Sequence, residues 1–402
     1  MKEYNSAKIT VISDGGTDDY NKELQSRYRM SGDGRRIAAL CVALAVLIVL
    51  TVLLRYDFVH NIVTPGRYLE TIASRLEDLG GLLTGKGSRN NISYSIFTVL
   101  IAGVVGSVLS TSGAVYQGIY HNPMASPSML GVQSGGMVAA TLYLLFCWDP
   151  TPATEFYTFD EYTAMLDAMS FYDIYARQIW MITGCLAGGA LVVFLSTRAG
   201  RGKMSTLVLI LAGVLFSSFA NTFVNLVRYW FIYNDPGSVR AYAMMNISMG
   251  TFANTYSGQH FLMIGIPCVI CLVLIFSQAG RLNILMFGED EARTLGLNVN
   301  RFRNLMFLLC TIMCGIVLSF CGQIGFLGLI VPHFARKAAG SDFRLLLPFA
   351  ALFGAMSMIL IYFAACCTGL TSSLNLVTSA AGGAIFCYFL VRYRRQSNAD
   401  WA

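Results

Sequence analysis

The chain has 402 residues, 55% of them hydrophobic and only 12% charged, with a formal net charge of +6. Soluble domains carry about 25% charged residues, so the composition excludes an ordinary soluble protein and implies repeated membrane crossing. The excess of cations follows the loops between apolar runs and gives no reason to propose nucleic-acid binding.

A span needs about 20 apolar residues to cross roughly 30 Å of hydrocarbon. Ten runs meet or approach that length: 37–54, 94–117, 129–147, 178–197, 205–231, 260–277, 305–321, 324–340, 345–366 and 374–391. The expected fold is all-α, a polytopic membrane protein of about ten transmembrane helices per subunit with membrane lipid around it. A polar tail (1–36) precedes the transmembrane domain (37–395), and a short tail (396–402) follows. The first run is read as a span, not a cleaved signal peptide. Thirty-six mostly polar residues precede it, and no small-residue cleavage site follows.

Short cytoplasmic loops are enriched in Lys and Arg. With the N-terminus inside, most of the 28 cations fall on inner segments, and Arg55, Arg67, Arg75, Lys86, Arg89 and Arg240 fall outside. Both termini are therefore expected in the cytoplasm. Two external segments are long, 55–92 and 148–176. The second mixes acids with aromatic rings and reads as an interfacial segment anchored by those rings, with a docking surface as the alternative. Within the first, Gly80-Gly81-Leu82-Leu83-Thr84-Gly85-Lys86-Gly87 approaches a phosphate-binding loop. Gly87 stands where that loop needs a hydroxyl for magnesium, and no strand precedes it. It reads as a flexible loop, so any driving ATPase must be another chain.

Gly103 and Gly106 in the second run, and Gly325 and Gly328 in the eighth, suit close helix approach. Gln117 suits a hydrogen bond to a neighbouring helix, and Asn122, Pro123 and Pro127 a turn into the third run, since the residue before proline avoids α geometry. Ser217, Asn221 and Asn225 follow i, i+4, i+8 and share one helix face. That stripe either lines a path or bonds to another helix. None of the ten runs holds an Asp or Glu, which argues against ion-coupled transport, where intramembrane acids serve as relays. Cys268/Cys271 and Cys310/Cys314 have ligand-like spacing without a nearby His or acid, and read as packing residues. No catalytic residue, metal or cofactor is expected.

The loop 278–303 opens a short helix at Gly288, where Glu289, Asp290 and Glu291 favour a helix N-terminus. Ala292, Leu295 and Leu297 supply apolar positions, and Gly296 a stop. So short a helix is not stable alone, so it lies on the membrane or docks into a partner. In the eighth run, Pro332 kinks or restarts the helix. His333 is assigned to packing near the inner boundary, and Arg336 and Lys337 suit a cytoplasmic helix C-terminus.

Three stretches carry a family resemblance: "SGAVYQGIYHNPMASPSMLGVQSGG" (112–136), "LNILMFGEDEARTLGLNV" (282–299) and "GQIGFLGLIVPHFARKAAGSDFRLLLP" (322–348). They resemble the signatures of the FecCD family of bacterial ABC-importer permeases. In order and spacing the resemblance covers about residues 37–395. It places Gln117, Asn122, Pro123, Pro127, Gly131, Gly325, Gly328, Pro332, His333 and Arg336 in family motifs. It implies a homodimer, or a pair of similar permeases, in the bacterial inner membrane. Two ABC ATPase subunits would bind below and a substrate-binding protein above. It also implies that Gly288, Glu289, Glu291, Ala292, Leu295 and Gly296 belong to a coupling loop that receives the ATPase stroke. The implied cargo is a metal chelate, with ferric siderophore first and haem or cobalamin as alternatives. An ion-coupled secondary transporter is the more distant reading.

The sequence departs from the family where an R-L-P-R motif would precede the second span; that place reads Ser95-Ile96-Phe97-Thr98. Arg55, Arg67, Arg75 and Arg240 become the candidates for docking the binding protein, with the 148–176 loop as the alternative. The last run also has "SAAGGAIF" in place of a Gly-x-Pro-x-Phe pattern.

Overall fold

The computed structural model describes residues 31–54, 89–147, 171–199, 206–234, 239–252 and 258–385. Two compact units divide the chain, residues 1–43 and 44–402. Of helix α1 (Ser31–Leu54), residues 31–43 are the described part of the first unit and the rest falls in the second. The second holds α2 (Arg89–Ile119), α3 (Val132–Phe146), α4 (Phe171–Ala199), α5 (Thr206–Asn234), α6 (Val239–Met249) and α7 (Gly258–Ser277). It continues with α8 (Ala279–Met286), α9 (Glu289–Thr294), α10 (Val299–Cys321), α11 (Leu327–Ala339), α12 (Phe343–Thr368) and α13 (Leu374–Ile385). No strand occurs among the described residues.

Each of the ten apolar runs carries a helix. Six of the described helices, α2, α4, α5, α7, α10 and α12, are long and apolar enough to cross a membrane. The short helices α6 and α8 were not anticipated. α11 begins at Leu327 rather than Ile324 and continues through Pro332 without restarting.

α2 is the hub, packed against α12, α11, α10 and α7. Lipid provides no hydrophobic drive between helices, so close backbone approach and hydrogen bonds must hold them. The α2–α12 seam uses both. A Cβ on Gly106 would collide with the Gly354 carbonyl, and one on Gly354 with that of Gly106. Beside them Ser110 Oγ donates to the Ala350 carbonyl (2.6 Å) and Ser107 Oγ to that of Ala351 (2.9 Å). Gly103 is less constrained, since a Cβ there would sit 3.4 Å from the Ile359 side chain.

A belt of extended backbone interrupts the helices at the other end of α10. Thr251 N donates to the Cys321 carbonyl, Gln323 N to that of Ile247 and Leu374 N to that of Gly250, each at 2.9 Å. Phe326, at φ 63, then turns the chain into α11. Gly325 faces Asn375 and Ser379, and Gly382 packs against the Phe326 side chain. Unwound backbone at membrane depth is tolerated only when protein buries and pairs it, and this belt does so.

Candidate functional site

The loop 278–303 folds as two short helices in series. α8 is fixed to the body by Leu282 and Leu285, which are fully buried. Asn283 adds two bonds, its Nδ2 donating to Asp342 Oδ1 (2.6 Å) and its Oδ1 accepting from Phe343 N (2.8 Å). Asp342 is also the N-cap of α12, accepting from Arg344 N, so one carboxylate serves both helices.

α9 is the expected short helix. Gly288 precedes it at φ 123, and the Glu291 carboxylate folds back over Gly288 where a side chain would stand. Its end closes with two bonds, Gly296 N to the Arg293 carbonyl and Leu297 N to that of Ala292, both 3.0 Å. Gly296 supplies the left-handed φ of 82 that this closure demands. Ala292 is fully buried, which anchors the helix. Leu295 is 66% exposed, and just before α9 Phe287 is 76% exposed and Met286 43%. The apolar face therefore differs from the one expected: Ala292 points inward, while Leu295 joins Met286 and Phe287 outside. Asp290 lies fully in the open beside them.

Behind this face stands the end of α2. His121 Nε2 lies 2.9 Å from the Leu285 carbonyl. Arg303, in the second turn of α10, donates its Nε to the Ile119 carbonyl (3.1 Å) and an Nη to Glu289 Oε1. The Arg303 hydrogen bond holds the Glu289 carboxyl below its ordinary range; the Arg303 and Arg293 charges and His121 add to this, against the opposing effect of partial burial.

Gln117, Asn122 and Pro123 lie at or just past the same helix end, and Arg336 of α11 reaches it. Gln117 accepts from Arg336 Nη1 and donates to the Leu329 carbonyl (3.3 Å), tying α2 to α11 twice. Asn122 Oδ1 accepts from Met124 N (2.9 Å) and forms the turn that Pro123 extends. Pro127 packs against Gly328, and a Cβ on Gly113 would strike the Gly328 carbonyl. Pro332 has no N–H to offer that carbonyl, so the helix ladder opens where α2 crosses. Gly131 starts α3 in close contact with Val192 and Phe216, and His333 is half-buried on α11.

Other expected residues are not brought to this site. Ser217 Oγ donates to the Ser128 carbonyl (3.3 Å) within the chain, whereas Asn221 is half-buried and Asn225 exposed on α5. Arg240 is half-buried at the start of α6. Arg55, Arg67 and Arg75, the 148–170 stretch and the Gly80–Gly87 motif lie outside the described residues. Cys268, Cys271, Cys310 and Cys314 are buried free thiols.

Sequence reasoning missed Arg303, His121, Asn283 and Asp342. Arg303 had a signal: cations near a helix N-terminus oppose the macrodipole, so Arg301 and Arg303 in the first two turns call for acceptors. Asp342 had one as an N-cap before the apolar run of α12, whereas its bond to Asn283 and the His121 contact are long-range and leave no local pattern.

The FecCD transport family matches residues 47–392. The hemin transport system permease protein of Yersinia pestis is 30% identical over 300 residues, covering 74% of this chain and 82% of that one. The vitamin B12 import system permease protein of Vibrio cholerae is 32% identical over 298 residues, covering 73% and 80%. Among solved structures, an inward-facing ABC transporter assigned to the metal-chelate type superposes with a TM-score of 0.65 at 23% identity. It covers 89% of this chain and 99% of that one, and speaks to the fold alone.

Proposed function

The chain belongs to the FecCD transport family, a multi-pass membrane protein, and from that premise we propose that it is the permease subunit of an ABC importer carrying a bulky metal chelate inward. ATP hydrolysis then takes place on separate ATPase subunits, and a binding protein delivers the cargo from outside. The full architecture in this reading has ten spans, both termini in the cytoplasm and two permease subunits side by side.

The observation that carries the reading is the exposed face of the α8–α9 loop. Phe287, Leu295 and Met286 present exposed apolar surface on the loop between α7 and α10, with Asp290 beside them. Exposed apolar patches rimmed by charge mark protein interaction sites. Ala292, Gly288 and Gly296 give that face a fixed shape, as a docking element requires. Glu289 is turned toward its own chain, so Asp290 and Glu291 are the acids left to meet the ATPase.

The α5 face bearing Ser217, Asn221 and Asn225 is assigned to the translocation path between two permeases, and Arg55, Arg67, Arg75 and Arg240 to the binding-protein side. Ferric siderophore, haem and cobalamin belong to one cargo class here. The names of the relatives put haemin and vitamin B12 beside siderophores as the first compounds to try.

Uptake by the complex reconstituted in vesicles tests the proposal. The expected result is accumulation of one of the three chelates that requires ATP and persists when ion gradients are collapsed. Uptake that disappears with the gradient and ignores ATP would establish the secondary-transporter reading instead. Phe287→Ala with Leu295→Ala is expected to weaken ATPase association at least tenfold in pull-down or microscale binding.

A further inference from the structure

One guanidinium sits where three elements meet. Arg303 belongs to α10, its Nε bonds the last carbonyl of α2 at Ile119, and its Nη bonds the first residue of α9 at Glu289. The side chain is only 14% exposed. The second oxygen of Glu289 receives Arg293 (3.4 Å), which also reaches Asp290 (3.6 Å) on the open side. A planar guanidinium donates in two fixed directions at once, which a lysine ammonium on a flexible stem does not reproduce.

We propose that Arg303 is a positioning residue that makes α9 and the end of α2 move as one body. A displacement of the loop then reaches α2 instead of being absorbed at the joint between α8 and α9, Phe287 and Gly288. From α2 the displacement has two routes onward. Gln117 passes it to α11 through Arg336 and Leu329, and the Tyr116 hydroxyl, 2.8 Å from Thr311 Oγ1, passes it to α10. This inference rests on the importer reading for its purpose, but the mechanical link is a property of the chain.

Two measurements separate the link from the reading. In reconstituted vesicles holding the full complex, a ferric hydroxamate siderophore, haem and cobalamin are offered in turn, and uptake is divided by ATP hydrolysed. Arg303→Ala and Arg303→Lys are each expected to lower that ratio at least tenfold. A ratio within twofold of the parent in both variants would overturn the proposal. The second measurement is hydrogen exchange on the purified chain in lipid nanodiscs. Both variants are expected to raise exchange at least threefold in α9 and also in the last turn of α2, residues 116–119. A rise confined to α9 would overturn the link whatever the transport result. A parent complex that carries none of the three chelates would sink the importer reading alone, and the exchange data would still decide on the link.

Discussion

α2 and α5 are nearly indistinguishable by mean hydropathy, yet 67% of the apolar window of α2 is buried within the chain and only 22% of that of α5. Hydropathy reports the transfer of a helix into lipid, and protein neighbours are as apolar as lipid tails. What separates the two helices is the distribution of small residues. α2 carries Gly106, Ser107, Ser110 and Gly113, where other backbones approach closely, and Gly103 and Gly118, where side chains pack. α5 holds Leu211, Leu215, Phe219, Leu226, Tyr229, Trp230 and Tyr233 in exposed positions. The same polarity serves a hub in one case and an outer face in the other.

The largest test of this contrast is Gly113→Leu set against Leu226→Ala. Leucine at 113 would drive into the Gly328 carbonyl. Overpacking costs about 1–3 kcal/mol even where side chains yield, and backbone yields less. The yield of monodisperse protein is expected to fall more than tenfold for Gly113→Leu and stay within twofold for Leu226→Ala. Equal losses would break the comparison.

Next comes Gln117→Ala, which strips the part-buried Arg336 of its acceptor. Hydrogen bonds to charged groups contribute about 1.5–3 kcal/mol, so a clear drop in Tm in detergent is expected. A third, smaller effect depends on pH. Arg303 holds the Glu289 carboxyl below the usual value of about 4.3, so its contribution is complete above that pH and is lost as pH falls through the lowered value. Between pH 7 and pH 3.5 the parent should lose more Tm than Glu289→Gln. Parallel curves would show that the carboxylate contributes nothing. The smallest stability effect is expected at Asn225→Ala on α5, within about 0.5 kcal/mol. A fall in chelate uptake there, at unchanged Tm, would sharpen the assignment of that face to the path.

The ten apolar runs made the helices legible, and the caps made several boundaries legible as well. The acids at Glu289–Glu291 and the stop at Gly296 correctly announced α9. The short helices α6 and α8 escaped because eight to eleven residues of mixed polarity have no distinctive period of their own. The start of α11 was misplaced because Ile324 and Gly325 look apolar enough for helix, while the bonds that hold this stretch outside the helix reach Ile247, through Gln323 N, and Gln133, whose Nε2 donates to the Ile324 carbonyl, both far away in sequence. In the loop 278–303 the motif residues were legible through resemblance. The contacts that join them to α2 are set by tertiary geometry, and only the misplaced charge of Arg303 hinted at one.

The extended belt has a consequence for how the protein is made. Gly250 emerges from the ribosome well before Leu374, whose N–H its carbonyl requires. The Thr251 hydroxyl likewise waits for the Thr371 carbonyl, and the Phe326 side chain for Gly382 of α13. Helices satisfy their own backbone as they enter lipid, but the Gly250 carbonyl stays open until Leu374 arrives. A nascent permease cut short before α13 would thus carry an unpaired Gly250 carbonyl, a mark of incompleteness for quality-control proteases.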